Sequence, residues 1–501
     1  MLWLVVALVA LLWWTYTRHS DRFKEVSSKI KCSIKAYPVL GHAYLFAMQD
    51  GTSRMRYFQM FGREAIKNGG LTNLWLGEKY YVVVVDPVDL DVIMKASLEK
   101  DEIMRFARNF IGNGIIFAPL PIWRPRRKIL APTFSPKNLN NFVKIFSQQS
   151  SVMADKLQDE EGKGPCSVWK YLNTYAMDSV CETALGVKVN AQKNTEEPFM
   201  KAFEETCRLI AMRMVQPWLY PNAVYRLLPY HANFEECKRI VCGFIDKIIK
   251  SKRKTIKEDA ELKKGPNDIN TFLELITEAS GGDRGYSDEE LQEETLVLVV
   301  AGTDTSAVGA CFTICMLARH PDVQERACEE LHEVFGDSDR PLTSEDLPRL
   351  KYLDAVVRET LRLYPPVPLI VRTVEKEIQL PSGVTLVPGC GVLVHIWGTH
   401  RNPQYWGDDA DQFRPERFLE TLKHPAAFIP FSYGPRNCLG YQYAMMSMKT
   451  AVATILRKYR ISMPGSKQNG VNVADTPMTV SFDIMMKDVD RFTVQLEKRT
   501  K

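Results

Sequence analysis

The ten residues Phe431–Gly440 constrain this chain more than any other stretch of it. Cys438 lies there in a glycine-bracketed loop, beside Arg436 and just before a helical pattern that begins near Tyr443. A lone cysteine is usually a small buried hydrophobe. Here, however, glycines let backbone N–H groups approach the sulfur, and a helix start adds partial positive charge. The segment therefore predicts a thiolate that serves as a metal ligand.

The same residues read FSYGPRNCLG and fit the pattern F-x-x-G-x-R-x-C-x-G at every fixed position. In this loop the chain resembles the cytochromes P-450, the haem-thiolate monooxygenases, and the resemblance extends over essentially the whole body after residue 36. It implies that Cys438 is the axial ligand of the iron in haem b, whose thiolate favours O–O cleavage. It also implies that Arg436 pairs with a haem propionate.

A second motif, AGTDTS at residues 301–306, lies inside a long apolar helical pattern. Gly302 costs about 1 kcal/mol relative to alanine in a helix interior, so it calls for a reason. One reading is a helix-packing groove, and the other is a widened turn where hydroxyl groups bond back to carbonyls and admit dioxygen and water. The segment matches the family pattern (A/G)-G-x-(D/E)-T-(T/S). The resemblance implies that Asp304 and Thr305 are an acid–alcohol pair that delivers protons.

Ala301 departs from the nearest branch of the family, which contains insect enzymes and fatty-acid chain-end hydroxylases. Many of those hydroxylases have glutamate at this position, where it forms an ester with a haem methyl. An alanine methyl group forms no ester and leaves more room beside the iron. We therefore expect noncovalently held haem, with in-chain hydroxylation or epoxidation as alternatives to attack at a terminal methyl.

Glu359 and Arg362 lie at helical i, i+3 spacing, which places their side chains on one helix face. Such pairs are common on solvated helices and are weak evidence alone. Downstream, Arg417 lies within the sequence FRPERF. The resemblance makes these three residues a structural triad that holds the cysteine loop and the haem in place.

Trp123 and Arg127 satisfy the short pattern W-x-x-x-R, and the resemblance implies that both contact a haem propionate, with Arg372 as a further partner. Pro125 predicts that this helix begins close to Trp123, because proline is tolerated in a first turn. The surrounding basic cluster is either an ordinary solvated face or, by the resemblance, the docking site of an acidic flavoprotein. The cluster comprises Arg124, Arg126, Arg127 and Lys128.

The first seventeen residues carry no charged side chain and are apolar through Trp14. As a helix they would span about 25 Å, the lower end of what a bilayer needs. A cleaved signal peptide is the alternative, but bulky aromatics stand where small cleavage-site residues belong. We expect an uncleaved anchor at residues 1–17 and a basic linker at 18–36, which places the body on the cytosolic side of the endoplasmic reticulum membrane.

The remaining patterns predict a mainly α domain at residues 37–501 with a small β-sheet, the cytochrome P-450 fold. Thr72 to Val85 reads as a hairpin around Gly77. Helical patterns dominate from about Leu90 onward. The long helices are predicted at 138–159, 197–215, 233–256, 288–319, 321–335 and 350–363. Eleven cysteines without a C-x-x-C pair suggest neither a disulfide framework nor a zinc ribbon.

The sequence as a whole predicts a monooxygenase that uses haem b, with NADPH used indirectly through a cytochrome P-450 reductase, with or without cytochrome b5. The expected substrate is a lipophilic small molecule, and residues 216–221 are either buried core or a membrane-dipping lid of its channel. A net charge of +5 gives no basic footprint for nucleic acid. The rival hypotheses are a reductase-independent isomerase or dehydratase of peroxides, and a non-catalytic haem or lipid carrier.

Overall fold

The computed structural model describes residues 21–194, 198–259, 271–281, 285–464 and 476–499. Most of them are helical, which confirms the mainly α prediction. The helices are α1 (Asp21–Ser28), α2 (Gly51–Lys67), α3 (Pro87–Ala96), α4 (Arg105–Ile111), α5 (Leu120–Leu130), α6 (Pro136–Leu157), α7 (Trp169–Leu185), α8 (Pro198–Val215), α9 (Asn222–Arg226), α10 (Pro229–Asp259), α11 (Phe272–Ser280), α12 (Asp288–Arg319), α13 (Pro321–Phe335), α14 (Lys351–Leu363), α15 (Ile396–Thr399), α16 (Pro403–Trp406) and α17 (Tyr441–Lys458). The predicted anchor at residues 1–17 and the start of the predicted linker lie outside the described residues.

The strands form several small sheets beside the helices. They are β1 (Leu71–Leu76), β2 (Lys79–Val84), β3 (Pro165–Ser167), β4 (Ile370–Thr373), β5 (Ile378–Gln379), β6 (Thr385–Leu386), β7 (Gly391–Val394), β8 (Tyr459–Ser462), β9 (Val480–Asp483), β10 (Met485–Asp488) and β11 (Thr493–Lys498). One sheet has the order β1-β2-β7-β4, and another has the order β3-β11-β8. β5 pairs with β6, and β9 pairs with β10. The β1–β2 pair is the predicted hairpin, and Gly77 turns it with a positive φ of 59°.

Helix α12 is the central core element. Its first turn is closed by a capping box, in which the Ser287 side chain accepts from the Glu290 N–H and the Glu290 carboxylate accepts from the Ser287 N–H. Among the described residues it is the one helix long and apolar enough to cross a membrane, but 78% of its apolar window is buried inside the protein. A helix that is apolar on all sides and buried is a core helix.

The six long helices predicted from the sequence are all present, each within a few residues of its predicted ends. Helices do dominate from about Leu90 onward, but helix α2, which was not predicted from the sequence, precedes the first strand. Met55, Phe58 and Phe61 form the buried face of α2, and the Asp50 side chain caps its start by accepting from the Ser53 N–H.

The predicted start of α5 near Trp123 is also wrong. The helix begins at Leu120, and the carbonyl of Pro119 accepts from the Trp123 N–H at 2.8 Å. Pro125 therefore lies in the second turn, where it removes the hydrogen bond that residue 125 would donate to the Pro121 carbonyl. Because both prolines lie on the exposed face of the helix, water can solvate that carbonyl.

The described part of the predicted linker packs against the β1–β2 hairpin. Phe23 of α1 is buried edge-on against Trp75 and Tyr80, with ring centroids 6.1 and 5.2 Å apart. The Asn73 side chain donates to the carbonyl of Ile30 at 2.8 Å. Residues 21–36 are thus joined to the body by apolar packing and hydrogen bonds.

Candidate active site

The loop around Cys438 is fixed by its own backbone. The Cys438 N–H donates to the carbonyl of Phe431 at 2.8 Å, which closes the loop. Gly434 has a positive φ of 71°, and a Cβ there would lie 2.7 Å from the carbonyl oxygen of Met94. A side chain does not fit at this position without a shift of the backbone. Helix α17 begins at Tyr441, directly after the loop.

The Cys438 sulfur faces an internal cavity of about 300 Å³. Burial raises the pKa of the Cys438 thiol, whereas a hydrogen bond from the Gly440 N–H and the positive charge of Arg127 act to lower it. Arg127 itself donates to the carbonyl and the side-chain oxygen of Asn437, at 2.7 and 2.6 Å. Arg127 therefore secures the loop that carries the sulfur.

Helix α12 forms another part of the lining of this cavity, with Ala301, Gly302 and Thr305. The Thr305 hydroxyl donates to the Ala301 carbonyl at 2.6 Å, a bond that other threonines in helices of this protein also make, and the helix remains continuous. A Cβ on Gly302 would lie 3.0 Å from Val180 of α7, so the glycine also serves close helix packing. The contact with Val180 therefore supports the packing interpretation of Gly302, and the widened turn stays a prediction.

Arg436 and Trp123 lie together at the edge of the cavity. The Arg436 guanidinium lies over the Trp123 ring, 4.5 Å from its centroid, and its Nη2 donates to the Ala118 carbonyl at 2.9 Å. Its Nε and Nη1 are buried and have no hydrogen-bond partner among the described residues. Burial lowers the pKa of Arg436 to about 10, because the charged form has lost its solvent.

Arg372 is fully buried beside Arg436. Its Nη1 donates to the Val371 carbonyl at 3.0 Å, while Nε and Nη2 lack partners in the described part of the chain. Burial, and to a smaller extent the positive charge of Arg436, lower the pKa of Arg372 to about 10. Lys100 forms a β-bridge with Arg372, and burial together with the two arginines lowers its pKa well below the usual range. Buried cations with free donors require an anion, because desolvated charge without a partner is expensive.

The comparisons with known proteins decide the family. The family model described as "Cytochrome P450" matches residues 33–480 of this chain. The chain belongs to the cytochrome P450 family. It is 30% identical to cytochrome P450 4d2 of Drosophila melanogaster over 91% of this chain and 93% of that protein. It is 31% identical to cytochrome P450 4V2 of Homo sapiens, over 85% and 83% of the two chains. Insect and mammalian relatives agree with the predicted branch.

Membership makes this protein a monooxygenase whose cofactor is haem b with thiolate ligation, and NADPH supplied through a reductase is typical of the family. The residues of the cavity fit that group. Cys438 supplies one sulfur donor, and a single protein donor suits a metal whose other ligands come from a macrocycle. The free donors of Arg372 and Arg436 suit the propionate anions.

The predicted acid–alcohol residues of this P450 are adjacent in sequence but point in different directions. Thr305 lines the cavity, whereas Asp304 is buried behind it and accepts from Lys487 Nζ of β10 at 3.1 Å. Lys487 also donates to the Glu204 carboxylate at 3.1 Å. Burial raises the pKa of Asp304, and the charge of Lys487 opposes that rise. No local sequence signal marks Lys487 or Glu204, which lie far from residue 304 in the chain.

The predicted triad of this P450 is assembled and buried. Arg362 donates from Nε and Nη2 to the two oxygens of Glu359, at 2.7 and 2.8 Å. Arg417 Nε lies 3.4 Å from Glu359 Oε1, and its other nitrogens donate to carbonyls of Trp406 and Asp409. The Glu359 carboxylate therefore lies between the two guanidinium groups.

His400 connects this triad to the cysteine loop. The His400 ring Nδ1 is paired with the Arg362 carbonyl at 3.0 Å, and the Ile429 N–H donates to Nε2 at 2.9 Å. Burial lowers the pKa of His400 to about 3, so the ring is neutral and each nitrogen keeps one role. Ile429 lies two residues before Phe431, where the loop begins. Sequence analysis did not identify His400 or Lys100, because single charged residues in polar stretches look like solvated surface.

A second cavity of about 260 Å³ adjoins the first one. Lys100, Ala301 and Thr305 line both cavities, so the two spaces meet beside the α12 motif. The rest of its wall is almost entirely apolar. It includes Phe110, Phe203, Ile210, Met214, Val300, Leu369, Leu393, Phe482 and Ile484.

The predicted basic cluster is smaller than the sequence suggested. Arg126 is buried and donates to Glu293 at 2.9 Å and to Glu294 at 3.1 Å. The Arg127 guanidinium is hydrogen-bonded to Asn437 in the cysteine loop. Arg124 and Lys128 remain exposed on α5. The interpretation of all four residues as one docking surface is therefore wrong, because the two inner guanidinium groups already have partners inside the protein.

Proposed function

We propose that this P450 inserts one oxygen atom from dioxygen into a long-chain lipophilic molecule, by hydroxylation or epoxidation, with electrons from NADPH–cytochrome P450 reductase. The observation that carries this proposal is the apolar cavity of about 260 Å³ that meets the Cys438 cavity at Ala301 and Thr305. Its apolar wall favours a hydrocarbon chain through the hydrophobic effect. A molecule in this cavity lies against the α12 motif.

In this proposal Cys438 is the axial ligand, and Trp123, Arg127, Arg372 and Arg436 hold the propionate side of the cofactor. When bound, haem supplies the activation of dioxygen. The free Nε and Nη atoms of Arg372 and Arg436 support their role as anion partners. Arg127 acts through its hydrogen bonds to Asn437.

Asp304 and Thr305 are proposed to move protons into the cavity. The Thr305 hydroxyl is the group at the cavity wall, and Asp304 stands behind it as the acid. The Lys487 ammonium holds the Asp304 carboxylate at 3.1 Å and is shared with the partly exposed Glu204, which lies on the solvent side of Lys487. Because Asp304 points away from the cavity and pairs with Lys487, its carboxyl group has to leave that ammonium before it can pass a proton to Thr305.

Ala301 supports the proposal that the cofactor is held without a covalent link to this helix. Its methyl group lines both cavities and offers no carboxylate. The added room favours in-chain attack or epoxidation over strict attack at a terminal methyl. Haem extracted from the enzyme by acidified organic solvent is expected to be unmodified.

We also propose that residues 1–17 anchor the enzyme in the endoplasmic reticulum membrane and that 37–501 is the cytosolic catalytic domain, while the basic segment predicted as a linker at 18–36 packs on that domain from Asp21 onward. Trp218 and Leu227 support a second membrane contact, because both are exposed apolar side chains in the connection between α8 and α10. Leu219 in the same connection is buried, so this stretch is partly core and partly surface.

A turnover screen tests the proposed function. Purified enzyme, reductase and NADPH are incubated with lipids of several chain lengths, and the products are identified by mass spectrometry. We expect products heavier by one oxygen atom, formed only when reductase and NADPH are both present. Rearrangement of lipid peroxides without reductase would instead support the isomerase, and haem or lipid binding without any turnover would support the carrier.

A further inference from the structure

A third cavity, of about 200 Å³, lies between α4, α8 and the region of α9 and α10. None of its lining residues lines the two active-site cavities. Arg213 and Met214 are neighbours in α8, and the first faces this cavity whereas the second faces the apolar one. The full lining is Asn109, Arg213, Asn222, Tyr225, Arg226, His231, Phe234, Glu235 and Lys238.

Arg213 is a buried cation in this cavity without a carboxylate partner in the described part of the chain. Its Nε donates to the Leu219 carbonyl at 2.9 Å, and its Nη2 donates to the Asn222 side chain at 2.7 Å. The guanidinium also stacks on Tyr225, 3.8 Å from the ring centroid. It is 7% exposed, and burial lowers its pKa. These neutral contacts orient the group but leave its charge uncompensated.

The other cations of the cavity are likewise without acidic partners among the described residues. Lys238 Nζ donates to the Asn109 carbonyl at 2.6 Å, and Arg226 is exposed at the rim. Glu235 is the one carboxylate in the lining, and its ion-pair contact is with His231 at 3.8 Å. The lining therefore carries an excess of positive charge.

Neighbouring arginines on the same helices behave differently. Arg208 of α8 is bidentate with Glu205, and Arg239 of α10 is bidentate with Glu236. Acidic residues are therefore available at helical spacing where the arginines face solvent. The cations that face the cavity are the ones left without them, which favours an anionic ligand in that space.

Exposed apolar side chains lie next to this basic cavity. Leu227 is 87% exposed, and Val224 and Tyr230 are 44% and 39% exposed. These residues flank Arg226 and His231 in the sequence. Apolar side chains beside cations are typical of surfaces that insert into the acyl region of a membrane while the cations meet lipid phosphates.

We propose that this cavity binds the phosphate group of an anionic membrane phospholipid, with Arg213, Arg226 and Lys238 around the phosphate and with the acyl chains against Val224 and Leu227. The proposal rests on the membrane placement in the proposed function and adds a lipid headgroup specificity to it. The polar lining of the cavity suits the phosphate headgroup. The apolar side chains of Val224 and Leu227 are exposed outside it, where they suit the acyl chains.

The test uses the full chain in a neutral detergent, titrated by calorimetry with dihexanoyl phosphatidate. Dihexanoyl phosphatidylcholine, inorganic phosphate and hexanoate are the comparison ligands. The pocket variant is Arg226→Gln with Lys238→Gln. The matched control is Arg239→Gln with Lys247→Gln, which removes the same charge from exposed positions of α10. The reduced carbon-monoxide spectrum checks that each variant is folded.

We expect phosphatidate to bind the unmodified chain, and the pocket variant to bind it about ten-fold more weakly, while the control changes by less than about two-fold. Equal weakening in both variants would reduce the effect to general charge attraction and overturn the proposal. Equal affinity for inorganic phosphate would make this a free-anion site, and preference for hexanoate would make it a fatty-acid carboxylate site. Turnover measured on the same preparations shows separately whether the proposed function holds.

Discussion

Thr305 is the residue at which the two active-site cavities meet the backbone of α12. Its hydroxyl lies at the wall of both cavities and is held by the Ala301 carbonyl. Hydrogen bonds of this kind from threonine to the preceding turn are weak enough to exchange with a bound molecule or water. The Thr305 hydroxyl can therefore leave the Ala301 carbonyl and form a hydrogen bond with a molecule in either cavity.

Replacing Thr305 by alanine should retain cofactor and substrate binding but divert electrons into peroxide, because proton delivery is impaired while reduction is not. The measurement is peroxide formed per NADPH consumed, with an expected increase of several-fold. Thr303→Ala is the matched control, since Thr303 is buried on the same helix and lines neither cavity. Fully coupled turnover in Thr305→Ala would remove the residue from the proton path.

At the scale of elements, α14 is joined to the cysteine loop through Glu359, Arg362 and His400. The carboxylate is bound by two guanidinium groups and also accepts from the Arg414 N–H at 2.8 Å. All of these groups are buried, so each depends on its partners in place of water.

Replacing Glu359 by alanine should leave the buried Arg362 guanidinium without its anion, at a cost of about 3 to 5 kcal/mol, whereas Arg417 keeps its ion pair with Asp409 at 2.8 Å. The yield of haem-containing protein should collapse, as measured by the reduced carbon-monoxide spectrum per mole of chain. Glu329→Ala on the neighbouring helix α13 is the control, because that side chain is exposed. An unchanged yield for Glu359→Ala would show that the triad contributes little to holding the loop.

A second contact between elements joins α12 to the segment before α5. The Glu294 carboxylate accepts from Arg126 and from the Ile115 N–H, both at 3.1 Å. Burial raises the pKa of Glu294 to about 7 from its usual 4.5, against the opposing effect of those two donors. Because the folded-state pKa is the higher one, the stabilisation from this group is present below about pH 4.5 and is lost as the pH rises through about 7.

Glu294→Gln removes this titration, so the stability of the unmodified enzyme should fall relative to the variant between about pH 5 and about pH 8. The expected change is up to about 3 kcal/mol, since one unit of pKa shift corresponds to about 1.4 kcal/mol. Urea midpoints at the two pH values provide the measurement. Glu289→Gln, at an exposed position of the same helix, should show no such pH-dependent difference. If the difference in stability between the unmodified enzyme and Glu294→Gln were the same at both pH values, the Glu294 carboxylate would be ionised at both.

At the scale of the whole molecule, the described chain begins with a helix that is part of the body. α1 packs Phe23 and Val26 on the β1–β2 hairpin, so the membrane segment proposed for residues 1–17 is followed almost at once by folded protein. In that proposal, the short connection would hold the body close to the membrane surface. The exposed apolar residues between α8 and α10 are then candidates for a second attachment.

Removing residues 1–20 should release much of the enzyme from membranes while preserving the cofactor spectrum, because the cut falls before α1. Flotation with neutral vesicles measures the release, and residual binding should fall further when Leu227→Gln is added. Removing residues 1–30 is the contrasting variant. It also deletes Phe23 and Val26, whose burial contributes about 1.5 to 3 kcal/mol each, so stability should drop. Loss of the spectrum on removal of residues 1–20 would place that segment within the folded body.

The sequence alone determined the features that depend on near neighbours in the chain. The cysteine loop, the α12 motif, the Glu359–Arg362 pair and the six long helices follow from glycine placement, helical periodicity and short spacing. These signals act over a few residues, where the backbone leaves few alternatives. They were sufficient to indicate the family and its cofactor.

Only the tertiary structure decided which charges meet. Lys487 reaches Asp304 across 183 residues, and Arg126 reaches Glu294 across 168, so neither pairing leaves a mark in local sequence. In the sequence, Arg126 is part of a basic cluster of four residues. The structure buries Arg126 and hydrogen-bonds Arg127 to Asn437, so only two of the four remain exposed. Lys100, Arg213 and His400 were missed for the same reason. The environment of a charged side chain is set by segments that folding brings beside it, and that environment decides whether the charge is solvated, paired or left for a ligand.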